Sequence, residues 1–215
     1  MNLNYKSYWR KTGLKGKWGN IFLQRLSTYN PKNVLEIGVF CGVTARNTCD
    51  LLEKINGKDF SYIGVDLFGS DQSEKKDEIE PTFLKDQKFS NPLKNIYYNY
   101  ILRENLNSIE SVNKLLKKYS SNIKLIAGDT NKVLKEINLQ NIDFVFLDGG
   151  HSYQTVTSDL SILYESMRGK NKVILCDDYG EASFIQEVKN AIDDFSNKNN
   201  IKINTIENRF AELIF

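Results

Sequence analysis

No stretch of this sequence approaches the roughly 18 consecutive apolar residues that a membrane span requires. The N-terminus, MNLNYKSYWRKTG, has no apolar signal core, so neither a membrane nor a secreted protein is expected. Proline is scarce, with three residues, and glycine is ordinary at 13, which excludes collagen-like and low-complexity chains. Cysteine occurs only at 41, 49 and 176, an odd number without metal-ligand spacing. Reduced thiols in a cytoplasmic protein are therefore expected. Neither sign of charge dominates, since 29 Lys plus Arg face 27 Asp plus Glu; the net charge of +2 neither demands nor excludes an anionic partner. Histidine is rarest of all, with His151 alone.

What is present suits one globular domain. At about 150 residues per domain, 215 residues favour a single unit, and that length buries a core without disulfide or metal staples. Short apolar runs read as strands: NVLEIG (33–38), SYIGVD (61–66), IKLIAG (123–128), DFVFLD (143–148), KVILCD (172–177), IKINTI (201–206) and RFAELIF (209–215). Most are apolar almost throughout, which suits a parallel sheet buried on both faces. Helical periodicity lies between them, in Ala45, Cys49 and Leu52, and in Val156, Leu160, Leu163 and Met167. It recurs in Phe184, Val188, Ile192 and Phe195, behind the capping-box spacing of Ser183 and Gln186, and in Leu106, Ile109, Val112, Leu115 and Leu116. An earlier helix carries Trp18, Phe22, Leu26 and Tyr29. Alternating strands and helices predict an α/β, doubly wound sheet. Only Glu207 and Asn208 separate the last two strands, so these must form an antiparallel hairpin. The expected organisation is one domain over 1–215, with an N-terminal helical arm at 1–30 and an insertion at 67–103. That insertion starts charged and ends aromatic, and reads either as a lid or oligomer surface or as a solvated excursion with one short helix.

Ligands of open α/β sheets bind beyond the carboxyl ends of the strands, so polar residues there carry the functional reading. Gly38 and Gly42 follow the first strand, and either admit a ligand close to the backbone or merely shape a turn. Glu36 is a carboxylate inside that strand, costly without a partner. The dinucleotide fingerprint G-x-G-x-x-G is absent, because Val39 and Phe40 follow Gly38. Asp66 nonetheless ends the second strand, where a carboxylate can accept both ribose hydroxyls, and Asp129 ends the third. Each of these acids could instead cap a helix.

VLEIGVFCG, YIGVD, LIAGD and DFVFLDGGH, in this order and with a terminal hairpin, resemble the class I S-adenosylmethionine-dependent methyltransferases over about residues 30–215. The resemblance implies a seven-stranded sheet in order 3-2-1-4-5-7-6, with the seventh strand antiparallel. It also implies that Glu36, Gly38 and Gly42 hold the methionine part of the cofactor, that Asp66 binds its ribose, and that Asp129 lies near its adenine. Asp148 would border the same cofactor.

Asp148 ends the fourth strand and the pair Asp177–Asp178 ends the fifth, so three carboxylates are expected to converge. Like charges repel unless a cation neutralises them, and oxygen donors suit Mg²⁺; the other reading has them capping helices or pairing with lysines. The pattern is similar to that of metal-dependent O-methyltransferases, and D-G-x-H-x-Y with D-D-Y resembles the branch that includes macrolide-sugar O-methyltransferases. His151 is then a general base for a substrate hydroxyl, or else a hydrogen-bonded loop residue. The expected acceptor is a small molecule or glycan, with a homodimer left open. Two alternatives remain. The basic, aromatic N-terminus (Lys6, Arg10, Lys11, Lys15, Lys17, Trp9, Trp18) could direct methyl transfer to RNA, or the acceptor could be an amine. A non-catalytic nucleotide-binding protein is the other.

Overall fold

The computed structural model describes residues 3–69, 89–169, 171–180 and 186–214. Seven strands form one sheet: β1 (Asn33–Ile37), β2 (Ser61–Asp66), β3 (Ile123–Ala127), β4 (Phe144–Leu147), β5 (Val173–Cys176), β6 (Ile203–Ile206) and β7 (Phe210–Ile214). Their order is β3-β2-β1-β4-β5-β7-β6. The first five pair in parallel, and β7 lies antiparallel between β5 and β6. Glu207 and Asn208 both take φ near 53°, and the Arg209 N–H closes the turn on the Ile206 carbonyl at 3.1 Å. Two successive positive φ angles match a tight turn to the right-handed twist of its strands.

Helices flank the sheet: α1 (Lys17–Tyr29), α2 (Val43–Asn56), α3 (Pro92–Ile96), α4 (Ile109–Leu115), α5 (Thr130–Val133), α6 (Tyr153–Met167) and α7 (Gln186–Asn199). The pleat sorts the central strands between two cores. Val34, Phe144, Phe146, Val173 and Leu175 face Phe22 and Leu26 of α1 and Cys49 and Leu52 of α2. Their neighbours Leu35, Val145, Leu147, Ile174 and Cys176 face Val156, Leu160 and Leu163 of α6 and Ile192 and Phe195 of α7. Burying each such side chain contributes about 1.5–3 kcal/mol, which fixes the register of β1, β4 and β5. The edge strands differ from expectation: β3 and β6 are half-buried to exposed, and among the described residues no strand pairs beyond them.

Leu106 also departs from its expected helix. α4 begins at Ile109, capped by the Ser108 hydroxyl on the Ser111 N–H (3.2 Å), so Leu106 packs before it with Cys41 and Tyr98. Within the insertion, α3 runs into a π-helical turn at Tyr97–Leu102. Residues 70–88, and Ser183 and Phe184 of the expected helix start, lie outside the described residues. The three cysteines are free and buried, and no described helix is long and apolar enough to cross a membrane.

Glu36 is the polar exception in the core. It is buried in the middle of the sheet, and Oε2 accepts from the Tyr62 hydroxyl at 2.8 Å. Burial, reinforced by the charge of Asp66, pushes its pKa up to about 8. The folded protein therefore holds a proton that the unfolded chain releases above its ordinary carboxylate range, and stability falls as pH rises from about 4.5 to 8. Glu36→Gln, which cannot ionise, should melt increasingly above the wild type as pH goes from 5 to 8. A melting difference that stays constant across that range would show that Glu36 does not titrate this way.

Candidate active site

Each of the five parallel strands leads into residues that line one cavity of about 310 Å³. The ladder continues past the strands: Gly38 N–H reaches the Val65 carbonyl (2.9 Å), Asp148 N–H the Ile37 carbonyl (2.8 Å), and Asp177 N–H the Leu147 carbonyl (3.0 Å). Gly38 has φ 93°, and a Cβ there would collide with the carbonyl oxygen of Asp148. Its requirement is thus the close passage of the β1 and β4 loops, which sequence reading had attributed to a ligand or a turn. Gly42 has φ 75° and starts α2, and a Cβ there would meet Val112.

At one end of the cavity, Asp66 holds the β1 loop in shape. Its Oδ2 accepts from the Phe40 N–H (2.8 Å) and its Oδ1 from the Phe68 N–H (2.7 Å). Burial raises its pKa, and these backbone donors pull it back. Each oxygen keeps a lone pair for ligand hydroxyls. Asp129 also lines the cavity and caps α5 through Asn131, so its two readings coexist. Glu36 does not reach the wall; it lies beneath the loop, paired with Tyr62.

At the other end stand Asp148, Asp177, Asp178 and His151, all lining the same cavity. Burial, with the charges of Asp177, Asp178 and Glu36, raises the Asp148 pKa well above the carboxylate range. Asp178 has φ 55° and faces His151, with Oδ2 at 3.5 Å from Nε2, and that histidine holds its pKa low. Asp177 has a partner that sequence reasoning missed. Arg209, from the hairpin turn, donates Nε to Oδ1 (2.6 Å) and Nη2 to Oδ2 (2.7 Å). Its guanidinium also lies over Trp18 and Phe210. No sequence signal marked Arg209, because an Arg beside a turn usually faces solvent.

The N-terminal segment also reaches the site. Tyr5 bonds Thr44 (2.8 Å), and Lys6 exchanges two hydrogen bonds with Asn47, both on α2. Buried Arg10 donates to the carbonyls of Cys41 (3.2 Å), Leu106 (3.0 Å) and Ser111 (2.9 Å). This clasp brings Lys11, Thr12 and Gly13 into the cavity wall.

A family model described as a methyltransferase domain matches residues 35–179. The chain belongs to this family, and its fold is that of the class I S-adenosylmethionine-dependent methyltransferases. No curated protein matches by sequence. Among solved structures, the chain is similar to an S-adenosylhomocysteine-bound Podospora anserina methyltransferase, PaMTH1 (14% identity, 93% of this chain and 79% of that one, TM-score 0.59). It is also similar to TomG of Streptomyces achromogenes, an O-methyltransferase of tomaymycin synthesis seen with S-adenosylmethionine (12% identity, 94% and 81%, TM-score 0.61). At these identities the likeness is one of fold.

The cavity fits the cofactor: a carboxylate with spare acceptor capacity at β2, a tight glycine loop at β1, and α2 opening behind it. Asp66→Ala should weaken S-adenosylhomocysteine binding about tenfold or more, the loss of a charge-assisted hydrogen bond. Unchanged affinity by calorimetry would remove Asp66 from the cofactor site. Arg209→Met leaves Asp177 buried and unpaired, and should cost about 3 kcal/mol in denaturant unfolding.

Proposed function

We propose that this methyltransferase moves the methyl group of S-adenosylmethionine onto a hydroxyl of a small molecule or sugar. The observation that carries the reading is the placement of His151 and three carboxylates on the same cavity as Asp66 and the glycine loop. The cofactor supplies an already electrophilic methyl, so the protein's task is to align a nucleophile and relieve it of a proton. An alcohol needs that help at neutral pH. His151 receives the proton, and Asp178, 3.5 Å from Nε2, favours the resulting imidazolium.

A divalent cation, Mg²⁺ by its donor chemistry, belongs to this proposal as well. Oxygen donors of the right hardness are present, and the charges of Asp177 and Asp178, which add to burial in raising the Asp148 pKa, are what a cation would offset. Geometry qualifies the fit: among the described residues no three metal-binding side chains form a ready cage, and Arg209 takes both oxygens of Asp177. Asp148 and Asp178 would therefore hold the ion, with Asp177 joining only on release of Arg209. Such an ion would supply a lower pKa for the acceptor hydroxyl.

The RNA reading loses part of its motive. Of the basic residues behind it, Arg10 is buried on backbone carbonyls and Lys17 pairs with Glu207 (2.5 Å), while Trp18 packs on Phe210.

His151→Ala should lower kcat about 10²–10⁴-fold with cofactor affinity unchanged. Near-full turnover of that variant at saturating cofactor would reduce His151 to a loop residue. Activity should disappear in excess EDTA and return with Mg²⁺, whereas full turnover in chelator would assign the carboxylates to proton transfer and to pairing with Arg209.

A further inference from the structure

Beside the cavity, where Lys11 lines its wall, positive charge and aromatic rings gather. Lys11 lines the cavity, and its Nζ lies 5.3 Å from the centroid of Phe89. Lys94 of α3 approaches the same ring (5.9 Å) and the ring of Trp9 (5.7 Å). Trp9, Tyr97, Tyr98 and Phe89 interlock, with Phe89 stacked on Tyr98 at 5.2 Å and Trp9 edge-on to Tyr97 at 5.7 Å. Burial, with the charge of nearby Lys15, lowers the pKa of Lys94, and burial does the same to Lys11.

None of these three ammonium groups has an ion-pair partner among the described residues. Glu104, an acid of the same part of the chain, is taken by Lys114 at 2.5 Å. The arrangement is not an accident of a loose tail. Arg10, clasped to three carbonyls, pins the chain one residue before Lys11, and Trp9 and Tyr8 hold positive φ to make the turn. A protein that spends buried hydrogen bonds to bring Lys11, which has no ion-pair partner among the described residues, to a cavity wall gains most when an anion completes it.

We propose that Lys11, Lys15 and Lys94, around the Phe89–Trp9 rings, bind an anionic group of the methyl acceptor, a phosphate or carboxylate attached to a flat apolar body. This deepens, and rests on, the reading of a small-molecule hydroxyl acceptor. The anion lies at the rim, the rings hold the apolar body, and the hydroxyl points across the cavity to His151 and Asp148. Anionic charge at the rim stays away from the acids, which would repel it.

The test uses the full chain saturated with S-adenosylhomocysteine, so that the cofactor's own carboxylate is already in place. Phenyl phosphate and phenol are titrated by ligand-detected NMR. Phenyl phosphate should bind about tenfold or more tightly than phenol, and added salt should erase the difference. Lys94→Met and Lys11→Met should each remove most of that preference while S-adenosylhomocysteine affinity and melting temperature stay unchanged. Equal binding of the two probes, or a preference that survives both substitutions, overturns the proposal. So does a Lys11→Met variant that loses S-adenosylhomocysteine affinity instead, which would assign Lys11 to the cofactor carboxylate. A ten-nucleotide oligouridylate that binds far more tightly than phenyl phosphate, and depends on Lys94, would overturn the small-molecule acceptor itself.

Discussion

The whole site depends on one backbone crossing. Asp148 donates its N–H to Ile37, and its carbonyl occupies the space where Gly38 has no side chain. That contact brings the loop after β1 against the loop after β4, which begins the acid cluster. Any Cβ at Gly38 would drive the two apart and divide the cavity into unrelated halves. The burial of Phe144, Phe146, Val145 and Leu147 on opposite faces of β4 sets the register that makes the crossing possible.

Around this crossing the charges are arranged by cost. Glu36 sits deepest and avoids ionising, with Tyr62 as its donor. Asp66 is less buried and is held by backbone amides, a neutral means of keeping a carboxylate charged. Asp177 sits deep, where burial raises its pKa and the Arg209 guanidinium pulls it back down. Asp148 faces the cavity, and burial, with the charges of Asp177, Asp178 and Glu36, raises its pKa despite nearby Arg209.

The fold was almost entirely legible in the sequence because its signals are local. Apolar strands of five or so residues, helical spacing between them, and a two-residue gap before Arg209 are each readable within a short window. Strand-end acids were legible too, since the ends of parallel strands share one side of the sheet. What escaped were contacts made across long separations. Arg209 meets Asp177 across 32 residues, and Arg10 meets Ser111 across 101. Glu36 was legible as an oddity, but only packing revealed that Tyr62 bonds one of its oxygens and that it does not line the cavity. The basic N-terminus looked uniform in sequence, yet the fold buries Arg10, pairs Lys17 and sets Lys11 in the cavity wall.

The position of β7 has a consequence for how the site comes into being. This strand inserts between β5 and β6, and Arg209 stands at its threshold. During vectorial synthesis Asp148, Asp177 and Asp178 emerge well before their counterion. In that interval β5 is an open sheet edge, and the acid cluster is uncompensated. Docking of the hairpin seals the edge and delivers the neutralising charge in a single event. Catalytic competence would thus arise abruptly, as the final step of sheet assembly, rather than accruing strand by strand.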